Sequence, residues 1–83
     1  MPEYQKKLET IADHFGLQNQ VYKLYEEMSE LAVALTHHDM ENIVEEIADV
    51  KIMLAQLEYL FDVKDKVKGV VDYKIERTLT KIA

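Results

Sequence analysis

Cysteine is absent from this chain, and proline and glycine nearly so: one Pro and two Gly in 83 residues. Without cysteine there is no disulfide framework, no thiolate zinc site and no thiol nucleophile. The shortage of Gly and Pro excludes most β architectures, because sandwiches and barrels need turn residues every ~8–12 positions. Basic residues are also in deficit, 10 Lys+Arg against 16 Asp+Glu, for a formal net charge of −6. Nothing in so acidic a chain collects phosphates along a duplex, which argues against a nucleic-acid polymer as partner. No uncharged apolar run approaches the ~18 residues of a membrane span. The opening Met1-Pro2-Glu3-Tyr4 has neither the basic start nor the apolar core of a signal peptide. The expectation left by these absences is a soluble protein of a reducing compartment, the cytoplasm.

What is present is a globular composition, 48% hydrophobic, which argues against disorder. The length allows one domain, residues 1–83. A chain this short buries only about 60% of its unfolded surface. Four small helices would be marginal alone, so an all-α four-helix bundle assembled as a homo-oligomer is expected.

Apolar residues recur at helical spacing in four stretches. Helix 1 is predicted from Pro2 to His14, with Tyr4, Leu8, Ile11 and Phe15 as its stripe and Gly16 in a left-handed terminating position. Helix 2 runs from Gln18 to Thr36, with Val21, Leu24, Tyr25, Met28, Leu31 and Leu35 on one face. His37 and His38 read as turn residues, and Asp39 as the next N-cap. Helix 3 runs from Met40 to Phe61 along Ile43, Ile47, Val50, Leu54, Leu57 and Phe61. It also carries Ile52 and Leu60 off that stripe, so it should touch both its own chain and a partner. Asp65 is available to cap helix 4, whose stripe is Val67, Val71, Ile75, Leu79 and Ile82.

Two acidic runs carry the chemistry. Glu26-Glu27-Met28-Ser29-Glu30 lies on helix 2 and Glu45-Glu46-Ile47-Ala48-Asp49 on helix 3. Either run alone reads as a solvated acidic face. At ~100° per residue, however, Glu27 and Glu30 lie on one side of helix 2, and Glu46 falls inside the apolar arc of helix 3 with Asp49 at its border. Glu26 and Glu45 project away. A carboxylate on a buried seam is costly unless paired or metal-bound. A short turn makes helices 2 and 3 antiparallel neighbours, so the four acids can converge on one cleft. An all-oxygen cluster suits a hard divalent ion, Mg²⁺ or Mn²⁺. Lys23, one turn before Glu27, can offset only part of this charge. Lys74, Arg77 and Lys81 lie along one side of helix 4, flanking the stripe expected to face helices 2 and 3. They read either as a solvated basic face or as a phosphate clamp over the metal site. Tyr4 and Tyr25 read as core or interface, Tyr22, Tyr59 and Tyr73 as boundary packing, and Ser29 is assigned no role.

Glu-Glu-x-x-Glu followed by Glu-Glu-x-x-Asp, with fifteen residues between Glu30 and Glu46, resembles the MazG-like nucleotide pyrophosphohydrolases, of the all-α NTP pyrophosphatase superfamily. Leu24 to Phe61 carries the match, most specifically Glu45-Glu46-Ile47-Ala48-Asp49-Val50. The resemblance implies a four-helix fold assembled as a dimer or tetramer. It implies Mg²⁺ held by Glu27, Glu30, Glu46 and Asp49 as the catalytic site. The implied reaction cleaves a nucleoside triphosphate to the monophosphate and pyrophosphate, with Lys74 and Arg77 as candidates for substrate phosphate binding. The rival reading is a non-catalytic helical oligomerisation or regulatory module with a vestigial acidic site.

Overall fold

The computed structural model describes residues 2–83. Met1, included in the reading of the N-terminus and in the 1–83 domain span, lies outside them. Four helices follow one another: α1 (Pro2–Phe15), α2 (Leu17–His37), α3 (Met40–Leu60) and α4 (Lys64–Ile82), with no strand among the described residues.

The breaks between helices have local causes. Gly16 closes α1 by donating its N–H to the Ala12 carbonyl at 2.8 Å. Its φ is positive, as expected, but with ψ 163° it occupies an extended region open essentially to glycine alone, not the left-handed helical region. His38 ends α2 in the left-handed conformation, φ 54°, with its N–H on the carbonyls of Ala34 and Leu35. Asp39 caps α3 as predicted, accepting from the Asn42 N–H at 3.2 Å. The expected Asp65 cap is not found. Val63 holds that position without a side-chain cap, and Asp65 sits in the first turn of α4, where its charge complements the helix dipole.

The long hairpin of α2 and α3 is the body of the molecule, and α1 packs mainly on α3. Tyr59 on α3 donates its hydroxyl to the Asp13 carboxylate of α1 at 2.9 Å. The seam buries Leu8, Ala12, Leu24, Ala34 and Met53. On α2 the buried line is Gln20, Leu24, Glu27 and Ala34, which shares only Leu24 with the predicted apolar stripe, Val21 and Leu31 being half-buried. Tyr25, Met28 and Leu35 stand about half exposed or more, as do Tyr4 and Phe15 on α1. On α3, Ile47, Leu54 and Phe61 are likewise open. The hairpin closes on a face that carries Gln20, Glu27 and Gln56 and leaves much of its most apolar face uncovered.

α4 departs from expectation. It buries no residue and touches only α3 among the other helices, apart from a hydrogen bond from Lys64 to Gln5. Its stripe does not face α2 within this chain. Asp62, at φ 56°, turns the backbone sharply after α3, and α4 leaves the bundle after its first turns. The molecule is accordingly extended, with a radius of gyration of 14.9 Å, against about 12 Å for a compact chain of this length.

Candidate metal centre

The acids on α2 and α3 face each other in a fixed antiparallel register. Gln20 bonds Gln56 across the seam at 2.6 Å. Seven residues on, Glu27 meets Asp49, and three further, Glu30 stands beside Glu46. Carboxylate oxygens of Glu27, Glu46 and Asp49 lie within 4.8 Å of one another. A second trio, Glu26, Glu27 and Glu30, meets the same limit, and Glu27 belongs to both. The structure thus brings together all four predicted acids. It also places Glu26, read from the helical wheel as projecting away, at the edge of the cluster, where it takes Lys23 Nζ at 2.9 Å.

Burial sharpens the arrangement. Glu27 is 4% exposed, and among the described residues Oε2 of Glu27 and Oε2 of Glu46 are buried with no hydrogen-bond partner. Desolvation, followed by the adjacent Asp49 carboxylate, raises the Glu27 pKa, even though Lys23 contacts its Oε1 at 3.2 Å. Glu46 is pushed up to about 7, first by desolvation and then by Glu30, Glu27 and Asp49. The Lys23 ammonium is held above its ordinary range by its bonds to Glu26 and Glu27. One half-exposed lysine does not offset this much negative charge. Two orphaned carboxylate oxygens in an all-oxygen donor set fit a hard divalent cation, and the raised acid pKa values are what a missing positive charge produces.

Cavities flank the cluster on both sides. One of about 440 Å³ includes Glu30, Glu46, Ser29, His37 and Asn42 in its lining. Ser29, given no role from sequence, and His37, read as a turn residue but in fact the last residue of α2, therefore border the acids. The other, about 480 Å³, lies between α1 and the Gln20 end of the seam. Sequence reasoning missed Gln20 and Gln56. The signal was there: each lies seven residues from a predicted ligand, Glu27 or Asp49, a spacing that keeps a helix face. Among the described residues Lys74 and Arg77 make no ion pair with the acids, and α4 touches α3 but not α2; Arg77 instead lies 5.6 Å over the Tyr73 ring.

Residues 15–80 match the family model described as the MazG nucleotide pyrophosphohydrolase domain. No curated protein and no solved structure gives a significant match to the chain. No helix among the described residues is long and apolar enough to cross a membrane.

Proposed function

Because the chain belongs to the MazG nucleotide pyrophosphohydrolase family, we propose that it is a Mg²⁺-dependent enzyme cleaving nucleoside triphosphates to the monophosphate and pyrophosphate. The observation that carries this reading is the pair of buried, partnerless oxygens on Glu27 and Glu46. A scaffold with a disused acid site would gain by replacing them with apolar or amide side chains.

In this reading Glu27, Glu30, Glu46 and Asp49 hold Mg²⁺, with Mn²⁺ as a substitute. The ion's chemistry there is to shield the phosphate charge and acidify the attacking water. The chain's own part is to fix four carboxylates on two rigid helices, so that little reorganisation is left for the reaction. Glu46 and Glu27, both raised in pKa, are the acids best suited to accept a proton near neutral pH.

We further propose that residues 1–83 act as one domain in a cytoplasmic homodimer or tetramer. The chain exposes 6702 Å², against about 5,100 Å² for a compact monomer of its mass. The excess, about 1,600 Å² on one chain, is about twice what a standard interface hides on each partner. Lys74 and Arg77 then clamp substrate phosphates in a second copy's cleft, since α4 does not touch α2 and, among the described residues, neither side chain pairs with an acid of its own chain's cluster. Assay of a nucleotide panel with Mg²⁺, with the products identified, tests the proposal. Monophosphate and pyrophosphate are expected. Orthophosphate release would point to a different hydrolase chemistry, and no turnover of any nucleotide would leave the non-catalytic module.

A further inference from the structure

Gln56 is 1% exposed and Gln20 5%, the most deeply buried polar pair on the seam. One hydrogen bond joins them, from Gln20 Nε2 to Gln56 Oε1 at 2.6 Å. An amide offers two donors and an acceptor with two lone pairs, so this bond uses a small part of their capacity. Among the described residues neither side chain makes another hydrogen bond. Nor is either amide closed off: both line the cavity of about 480 Å³ that opens between α1 and the hairpin. Their remaining donors and acceptors, at a cavity wall, are free to meet something polar inside it.

The rest of the wall says what shape that is. Ile11 and Phe15 come from α1, Ile52 and Met53 from α3. An apolar slot with two convergent amides suits a flat heterocycle with an alternating donor and acceptor edge. Lys23 lines the same cavity and touches Glu27 at 3.2 Å, so a single side chain stands between the slot and the acid cluster. Seven residues separate Gln20 from Glu27, ~10 Å along a helix, comparable to the reach from the α-phosphate of a nucleotide to the pairing edge of its base.

We infer that the Gln20–Gln56 pair reads the pairing edge of the substrate's nucleobase, and reads it in either polarity. This rests on the hydrolase reading of the adjacent acids and adds the determinant of base recognition. The two-way property follows from symmetry. Each member is a neutral amide that can turn over about its last torsion and keep its shape. If Gln20 donates, Gln20 Oε1 and an N–H of Gln56 are left for the base. If Gln56 donates, the free acceptor and donor exchange places. Cytosine presents an amino donor beside a ring acceptor, and uracil a keto acceptor beside a ring N–H. One concerted flip serves both.

Three substrates test this: dCTP, dUTP and methyl triphosphate, which has no base. Wild-type kcat/KM for dCTP and dUTP should agree within about a hundredfold, because a site of fixed polarity separates such pairs by about 10⁴ or more. A larger ratio overturns the two-way reading. Gln56→Met removes the amide at similar volume. It should lower kcat/KM for both nucleotides about tenfold or more relative to methyl triphosphate, mainly through KM. Equal losses on all three substrates, or none, would mean that the pair is structural. Turnover confined to purine nucleotides overturns the inference; if the wild type cleaves none of the three and no other nucleotide of the panel, the hydrolase reading fails by itself. The slot is then judged by the side-chain amide NMR signals of Gln20 and Gln56 during titration with cytidine and uridine, which serves equally if the variant does not fold. Shifts with both nucleosides support the inference; shifts with one or neither overturn it.

Discussion

Glu27 on α2 and Glu46 on α3 bring carboxylate oxygens within 4.8 Å across one seam, and each leaves its Oε2 buried without a partner among the described residues. Two acids in that relationship repel, and each has lost water without gaining a hydrogen bond at that oxygen. The arrangement persists only because the surrounding helices hold it. In return the cleft keeps a standing affinity for positive charge.

Glu46→Gln keeps the volume and removes one charge. Mg²⁺-dependent turnover should fall at least ~100-fold, since even residues that merely support a metal ligand cost 10–100-fold. In chelator the variant should melt above the wild type, and with saturating Mg²⁺ below it. Activity near the wild-type value would remove Glu46 from the ligand set. Glu26→Gln is expected to change activity only a few-fold, because Glu26 is exposed and its contact is with Lys23. Glu45→Gln should be silent by the same assay.

The raised acids also set a pH dependence opposite to that of an ordinary paired carboxylate. Glu46 has a folded pKa of about 7 against 4.5 in its unshifted form. Between those values the folded state binds more protons than the unfolded one, so metal-free stability falls as pH rises through the window. Glu27 shifts in the same direction. Melting in chelator should therefore occur at a lower temperature at pH 8 than at pH 5.5. Added Mg²⁺ should recover most of the loss at pH 8, and Glu46→Gln should show a smaller pH difference. Equal melting at both pH values would mean that the acids do not repel in the folded chain.

The acids were legible in the sequence because helical angles are nearly invariant: three- and four-residue spacings place Glu27 with Glu30 and Glu46 with Asp49 whatever surrounds them. Four helices and the Asp39 cap were legible for a similar reason, being decided by residues close in sequence. The buried face was not. The wheel puts the seam through Val21, Leu24, Tyr25, Met28, Leu31 and Leu35; of these α2 fully buries only Leu24, and the rest of its buried line is Gln20, Glu27 and Ala34. Hydrophobic periodicity reports which face avoids water, not whether its cover comes from the same chain. The direction of α4 was hidden too, because it depends on one backbone turn at Asp62, φ 56°, where side-chain pattern carries little information.

The uncovered face leads to a prediction about assembly. Leu35, Leu54 and Phe61 are each 44–54% exposed, and α4 has no buried residue. A nineteen-residue helix that buries none of its residues draws little stability from tertiary packing, the main source of helix stability in proteins. The melting temperature should therefore rise with protein concentration across a ~100-fold range, because folding and association are coupled. Sedimentation should give the mass of a dimer or tetramer. A monomeric mass with a concentration-independent melt would refute the assembly, and α4 should then exchange its amide hydrogens much faster than α2.

Arg77 and Lys74 offer the sharpest test of how such an assembly works. Both sit on α4, which touches α3 but not α2, and among the described residues neither pairs with an acid of its own chain's cluster. If they clamp phosphate, they do so in another copy's cleft. Arg77→Ala should lower kcat/KM more than Lys74→Ala, because a guanidinium can hold a phosphate through two parallel hydrogen bonds and an ammonium cannot. Arg77 also lies over Tyr73, a contact that Ala removes, so Arg77→Lys serves as the control that retains a cation there. Mixing then separates the geometries. Glu46→Gln lacks a metal ligand and Arg77→Ala lacks the clamp, and each alone should be nearly inactive. In a twofold assembly refolded from equal amounts, half the dimers are mixed, and in each of those one cleft has an intact acid set from one chain and an intact Arg77 from the other. About a quarter of wild-type activity should return. A clamp acting within its own chain predicts no recovery, since no chain in the mixture carries both Glu46 and Arg77. A mixture no more active than its better component would therefore place α4 outside the partner's site.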